Sequence, residues 1–157
     1  FAGWKILTDC LKQGGLMKIG LYSELARQHI VKMKKEISDA GIGSSDTEMK
    51  SFRTIVMKSD QKHHRQVKKS PDLYSLSSLK DLLFHVQENR FTIPQIQECL
   101  SNLELKFCGF ETCINNNFTL VNKSQDDIYD LNKWAAFEET YPNAFIGMYQ
   151  FWCQKMA

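Results

Sequence analysis

The sequence predicts an α/β fold, and three observations support this prediction. A helical repeat of apolar residues over 4–11 runs into Gly14-Gly15, where a helix commonly ends. The next segment, Leu16–Ser23, is short and apolar except for Lys18, which is typical of a strand buried on both faces of a parallel sheet. Two later segments rich in aromatic residues indicate further strands. We therefore expect the order strand, helices, strand, helix, strand.

Length, charge and hydropathy set the broad class of protein. The chain has 157 residues, 43% of them hydrophobic, and its 20 basic and 18 acidic side chains leave a net charge of +2. That balance argues against nucleic acid or an anionic membrane as the main partner. Lys, Glu or Gln interrupts every apolar run before the roughly 18 to 20 residues that a bilayer requires. Because no secretory signal begins at Phe1, we expect a cytoplasmic protein whose first residues lie inside a larger domain.

The cysteines predict reduced thiols. They are odd in number and widely spaced, and most lie in apolar runs where Cys acts as a small hydrophobe. A zinc site at Cys108 and Cys113 would lack a C-x-x-C pair, and the histidines lie elsewhere in sequence, so we expect no metal. The cysteines are Cys10, Cys99, Cys108, Cys113 and Cys153.

Two amphipathic helices should follow the first strand. Ser23 suits the cap of the first helix, whose apolar stripe ends near Gly41. Ser45 and Glu48 have the spacing of a capping box, which predicts the start of the second helix. The stripe of the first helix consists of Ala26, Ile30, Met33 and Ile37.

A polar, basic segment over residues 58–69 predicts a solvated connector. If it were helical, its side chains could form an anion-binding stripe, but it lacks the interleaved aromatic rings that stack on bases. A solvated face fits the charge balance better. The side chains concerned are Lys62, His63, His64, Arg65, Lys68 and Lys69. A short helix over 76–83 should come next.

The strongest helix signal lies over residues 92–102. Thr92 and Gln95 form a second capping-box pair, and Pro94 stands in the first turn, where it loses no hydrogen bond. The apolar face of this helix consists of Ile93, Ile96, Leu100 and Leu103.

The remaining segments predict two strands, a loop and a helix. Residues 105–111 alternate as a strand, and the Asn-rich stretch 115–122 predicts a loop. A helix over about 127–140 should stop before Pro142, which cannot continue it. A final strand at 145–155 ends the chain.

Several of these segments carry a family resemblance. LKQGGLMKIGLYS, residues 11–23, has a glycine pair before a buried strand, with Gln13 where proline is usual. The helix 92–102 continues into LELKFCGFE, residues 103–111, and MYQFWCQK, residues 148–155, ends the chain. These segments resemble the fifth strand, the last helix with the sixth strand, and the seventh strand of class I S-adenosylmethionine-dependent methyltransferases.

The resemblance implies the C-terminal part of a Rossmann-like methyltransferase sheet. That part is one parallel strand plus a terminal antiparallel pair, with an inserted helical cap over residues 24–88. The family holds its S-adenosylmethionine cofactor through a glycine-rich loop after the first strand and an acid after the second. Neither Gly14-Gly15 nor Gly41 to Gly43 follows a strand and opens a helix. We therefore expect the cofactor-binding N-terminal half to be missing, assign no cofactor-binding residue, and expect this part alone to be inactive.

Four residues form the candidate site. Ligands bind beyond the carboxyl ends of strands in open α/β sheets, which nominates Tyr22 to orient an acceptor or to face a cationic methyl group. Tyr22 could instead be a packing aromatic. His85 could accept a proton with Glu88 orienting it, or be a structural histidine. Arg90 could bind an anionic part of a substrate, or point to solvent.

The sequence does not identify the methyl acceptor. Residues 70–96 resemble, more narrowly, a bacterial subgroup often joined to tetratricopeptide repeats. The composition favours a small molecule or a protein side chain over nucleic acid as acceptor. An alternative of another class is a non-enzymatic α/β protein-interaction module whose helical insertion binds a partner. A nicotinamide-dependent enzyme on a related sheet fits less well, because the last strands indicate an antiparallel sheet end.

Overall fold

The computed structural model describes residues 2–85, 88–111 and 115–156. The chain divides into two compact units. The sheet unit comprises the residues up to Ala26 together with those from Asn89 onward, and the helical unit comprises Arg27–Glu88. The architecture is mixed α/β, with a four-stranded mixed sheet.

The first helix, α1, spans Ala2–Cys10, and the first strand, β1, spans Leu16–Ser23, which confirms the predicted strand. Gly14 turns the chain between them at φ +73°, a left-handed conformation that favours glycine. The expectation that β1 is buried on both faces is wrong, since Lys18 and Gly20 are exposed.

The helical unit is built from short helices. Ser45 and Glu48 form the predicted capping box, in which the Glu48 amide donates to Ser45 Oγ at 3.4 Å. The first helix begins at Gln28, not directly after Ser23. The elements are α2 (Gln28–Asp39), α3 (Asp46–Lys58), α4 (Lys62–Val67), a 3-10 turn (Pro71–Leu73), α5 (Leu76–Leu79) and a π-helical turn (Lys80–Phe84).

The prediction of a solvated connector at 58–69 is wrong, because α4 lies within it. His64 and Val67 are 3% and 0% exposed. Side chains three positions apart share one face of a helix, so these two bury that face of α4. The sequence does not predict this helix, because its buried face consists of one aliphatic residue and one histidine and so shows no apolar periodicity.

The sheet unit continues after the helical unit. Asp130 caps its last helix, accepting from the Asn132 amide at 2.9 Å. The predicted helix at 92–102 and the predicted strands at 105–111 and 145–155 are confirmed, with the last beginning at Met148. The elements are β2 (Arg90–Phe91), α6 (Ile93–Asn102), β3 (Leu105–Phe110), α7 (Asn115–Val121), a 3-10 turn (Gln125–Tyr129), α8 (Leu131–Thr140) and β4 (Met148–Lys155).

Residues 115–121 of the Asn-rich stretch are helical, so the prediction of a loop there is wrong. Phe118 of α7 is fully buried and stacks on Trp134, with ring centroids 3.6 Å apart and an interplanar angle of 8°. Asparagine has a weak helix propensity, which disfavours α7. Burial of the Phe118 ring stabilises the helix in spite of this.

The sheet order is β2-β1-β4-β3. β2 runs parallel to β1 beside Tyr22 and Ser23, and β4 runs antiparallel to β1 over residues 16–22. β3 pairs antiparallel with the other edge of β4. β1 is therefore interior, but the sheet formed by the described residues is mixed and not mainly parallel. β2 escaped prediction because a two-residue strand carries no periodicity.

Each unit has its own hydrophobic core. In the sheet unit, alternate residues of β4 point inward, so Tyr149, Phe151 and Cys153 are completely buried, and the ring of Phe110 in β3 contacts both Tyr149 and Phe151. The core of the helical unit contains Ile30, Met33 and Ile37 of the predicted stripe together with apolar residues of α3 and α5, whereas Ala26 precedes α2 and belongs to the sheet unit. Its most deeply buried members are Ile30, Met33, Val56, Val67, Leu73 and Leu79.

Candidate functional site

A cavity of about 420 Å³ lies at the carboxyl end of β1, beside the point where β2 pairs with it in parallel. Aromatic rings of Trp4, Tyr22 and Phe91 line it, together with the side chains of Asn89 and Arg90. All of these residues belong to the sheet unit. The residues that line the cavity include aromatic side chains, a cation and an amide, which are groups that small-molecule pockets use.

Two of the predicted site residues meet in this cavity. Tyr22 and Arg90 are register partners across β1 and β2. Arg90 Nε donates to Glu24 Oε2 at 2.9 Å, and the Glu24 amide donates to the Phe91 carbonyl at 2.8 Å. Glu24 thus holds the guanidinium in place from one side and continues the pairing of the two strands.

Glu88 is held in a largely buried ion pair within the helical unit. Arg27 donates to both of its carboxylate oxygens, at 2.8 and 2.9 Å, and Lys34 Nζ lies 3.3 Å from one of them. Burial alone would raise the pKa of Glu88, but the hydrogen bonds and charges of Arg27 and Lys34 outweigh it and hold the pKa below its ordinary value. A carboxylate held this way is a weak base.

His85 is exposed, and its carbonyl accepts from Lys34 Nζ at 3.4 Å. Like Glu88, it belongs to the helical unit, whereas Tyr22 and Arg90 belong to the sheet unit. The four predicted residues are therefore divided between two units, two in each. Within the sheet unit the structure brings Tyr22 and Arg90 together.

A buried carboxyl group that the sequence reasoning missed lies in the sheet unit. Glu138 of α8 is 2% exposed. The hydroxyls of Ser23 and Tyr149 each donate to one of its oxygens, both at 2.6 Å. Ser23 also accepts from the Ala26 amide at 3.0 Å, but the prediction that it caps the next helix is wrong, because α2 begins at Gln28 and its N-cap residue is Arg27. Side chains alternate across a strand, so Ser23 and Tyr22 point to opposite faces of the sheet.

Burial dominates the titration of this cluster. It raises the pKa of Glu138 above the ordinary value, although the hydrogen bonds from Ser23 and Tyr149 lower it in part. Burial and the neighbouring carboxyl group also raise the pKa of the Tyr149 hydroxyl. A signal was present in the sequence, because Glu138 follows Leu131 and Trp134 at helical spacing and so falls on the buried stripe of α8.

The described cysteines are free and poorly suited to nucleophilic chemistry where they are buried. They are Cys10, Cys99, Cys108 and Cys153, and Cys113 lies outside the described residues. Burial raises the pKa of Cys153 to about 11 and raises that of Cys99. A thiol with a raised pKa carries little thiolate, which is the reactive form.

The helical unit brings together three possible metal ligands that are distant in sequence. His63 Nε2 lies 2.5 Å from Glu36 Oε1, and His64 Nε2 lies 2.7 Å from Glu36 Oε2. Burial would raise the pKa of Glu36, but the two imidazoles hold it below its ordinary value. The sequence reasoning considered these histidines beside the cysteines and missed the carboxylate contributed by α2.

The fold and the cavity define a mixed α/β protein with a pocket at the carboxyl end of a sheet strand. No protein-family model matches the sequence. Among the described residues, no helix is long and apolar enough to cross a membrane.

Proposed function

We propose that this chain is the C-terminal part of a class I S-adenosylmethionine-dependent methyltransferase, which moves a methyl group to an acceptor of undetermined identity. The observation that carries the proposal is the cavity at the carboxyl end of β1, beside the parallel β1–β2 pairing. Ligands of open α/β sheets bind at such strand ends. The cavity is therefore where the acceptor would lie.

The strand arrangement supports the proposal. β1 follows a glycine-containing turn, and the chain then ends with an antiparallel pair, β3 and β4, of which β4 lies against β1. A strand preceded by a glycine pair and followed by a terminal antiparallel pair is what the family resemblance implies. The helical unit, Arg27–Glu88, stands in the chain where the inserted cap is expected.

The described residues do not fit the cofactor itself. Gly14, at φ +73°, precedes a strand, and Gly41, at φ +62°, follows a helix, so neither lies in a strand-to-helix loop that could cradle the cofactor. S-adenosylmethionine would supply the methyl group, and residues outside this part of the domain would bind it. The residues of this chain belong to the acceptor side.

Positioning is what the cavity residues can contribute. Methyl transfer from a sulfonium is an in-line displacement, which depends on holding the nucleophile close to the methyl group and excluding water. Trp4 and Phe91 stack with ring centroids 6.4 Å apart and form a preformed wall. Tyr22 offers a ring face and a hydroxyl to orient the acceptor, and Arg90, held by Glu24, offers a positive charge to an anionic group.

Calorimetric titration with S-adenosylmethionine tests the assignment. We expect binding by the complete natural protein and no binding by residues 1–157 alone, because the chain lacks a cofactor loop. If the complete protein does not bind, the methyltransferase proposal is wrong and the non-enzymatic interaction module is the better explanation. Binding by residues 1–157 would show that the cofactor site lies within them.

Transfer of a radiolabelled methyl group tests the cavity. In the complete protein, supplied with a cell extract separated into small-molecule and protein fractions, Tyr22→Ala should lower transfer by about a hundredfold through misplacement of the acceptor. Tyr129→Ala is the matched control, since Tyr129 lies in the same unit and is 53% exposed. Equal transfer by wild type and Tyr22→Ala would remove Tyr22 from the site, and the labelled fraction would identify the acceptor class.

A further inference from the structure

The helices α2 and α4 pack together inside the helical unit and place three ligand side chains at one point. Glu36 comes from the last part of α2, and His63 and His64 are consecutive residues of α4. One ligand atom from each residue lies within 4.8 Å of the other two. The cluster is separate from the cavity of the sheet unit, so its interpretation does not depend on the methyltransferase proposal.

The two imidazoles converge on one carboxylate. Each approaches a different oxygen of Glu36 through Nε2, and the two ring centroids are 4.4 Å apart. Metal ligands at a tetrahedral centre lie about 3.3 Å apart when each is about 2.0–2.1 Å from the ion. Small side-chain rotations would bring these atoms to that separation with a metal ion between them.

The cluster is buried on the side of His64 and accessible to solvent on the side of Glu36. The side chains of His64, His63 and Glu36 are 3%, 15% and 35% exposed, in that order. An ion held by all three would reach solvent beside Glu36. The arrangement therefore offers protein ligands on the buried side and room for water on the exposed side.

We propose that Glu36, His63 and His64 bind a divalent transition-metal ion of the zinc class, with water completing the coordination. Imidazole nitrogens combined with one carboxylate suit zinc, whereas calcium and magnesium require mainly oxygen ligands. The bound ion joins α2 to α4 and stabilises the helical unit.

The surroundings of His64 set the strength of binding. Its Nδ1 is buried and has no hydrogen-bond partner among the described residues. A metal-binding imidazole is usually oriented by a hydrogen bond that its other nitrogen donates to a neighbouring group. Mutation of that neighbouring group typically lowers metal affinity by about 10 to 100-fold. Because none of the described residues supplies that hydrogen bond, we expect micromolar affinity and not the much tighter binding of a closed structural site.

Cobalt and zinc titrations test the site directly. The untagged, chelator-treated chain is kept under reducing conditions, and Co²⁺ is added while visible absorption is recorded. We expect a single equivalent to give the bands of a tetrahedral centre, Zn²⁺ to displace them, and Zn²⁺ to raise the midpoint of thermal unfolding. Glu36→Gln and His63→Gln should each weaken Zn²⁺ binding by about tenfold or more, since each removes a ligand.

His29→Gln is the matched control, because His29 lies on α2 outside the cluster. Circular dichroism of each variant establishes that the helices are retained. Two ligand variants are used so that misfolding of one leaves the other informative. The proposal is overturned if the wild-type chain shows no Zn²⁺ binding at micromolar concentrations, or if His29→Gln weakens binding as much as Glu36→Gln and His63→Gln do.

Discussion

Glu138 carries a carboxyl group into the interior of the sheet unit, where Ser23 and Tyr149 donate to its two oxygens. Hydrogen bonds to a buried carboxylate stabilise the charged form, and burial destabilises it. Burial has the larger effect here, since the pKa of Glu138 is raised. Glu88 shows the opposite balance, because a guanidinium and an ammonium group reach it, and its pKa is lowered. The chemical identity of the partners decides the direction.

The raised pKa of Glu138 predicts a pH-dependent stability. The folded state holds the proton more tightly than the unfolded state, so this residue's contribution is greatest at low pH and is lost as pH rises from 4.5 through the folded-state pKa. Glu138→Gln removes that loss. We expect its free energy of unfolding, relative to wild type, to increase with pH above 4.5 in urea titrations.

Glu139→Gln is the control for this experiment, because Glu139 is the exposed neighbour on the same helix. Its free energy of unfolding should follow that of wild type at every pH. A constant difference between Glu138→Gln and wild type across the pH range would show that Glu138 does not titrate differently in the folded and unfolded states.

At the scale of elements, predictions succeeded where the signal was local. The capping boxes that begin α3 and α6 need only residues three positions apart, so both were visible in the sequence. α4 and α7 were missed because what stabilises them comes from elsewhere in the chain. Phe118 forms α7's contact with the core by stacking on Trp134, which is contributed by α8.

Removing that contact should destabilise the protein. Phe118→Ala leaves a cavity beside Trp134 and should lower the free energy of unfolding by about 3–5 kcal/mol. Leu120→Ala, on the same helix at a residue 75% exposed, should change it by only about 0.5 kcal/mol. Denaturant unfolding of both variants checks this, and equal effects would contradict the assigned role of Phe118.

At the scale of the whole molecule, two hydrophobic cores are built from separate stretches of chain. The core of the sheet unit uses residues on both sides of the helical unit in sequence, and the core of the helical unit uses only residues within 27–88. Units with their own cores can open with different free energies. The β1–β4 pairing joins residues from opposite ends of the chain, so it demands the most distant contacts.

Native-state hydrogen exchange should reveal these two cores. Met33 is completely buried in the helical unit, and Met33→Ala should lower that unit's opening free energy by about 2–5 kcal/mol. Amides of α2 and α3 should then exchange faster, while those of β1 and β4 keep wild-type protection. Met57→Ala, at a residue 44% exposed in α3, is the control. Equal loss of protection in β1 and β4 would show that the chain opens as one unit.

The sequence by itself determined the α/β class, the position of β1, the capped helices and the nomination of Tyr22, because each depends on short-range periodicity or on one residue's place at a strand end. Only the tertiary structure decided the sheet order, the short β2, the contact between Glu138 and Ser23, and the meeting of Glu36 with the two histidines of α4. Those features join residues far apart in the chain. Pairing and packing choose such partners, and local sequence patterns carry no information about them.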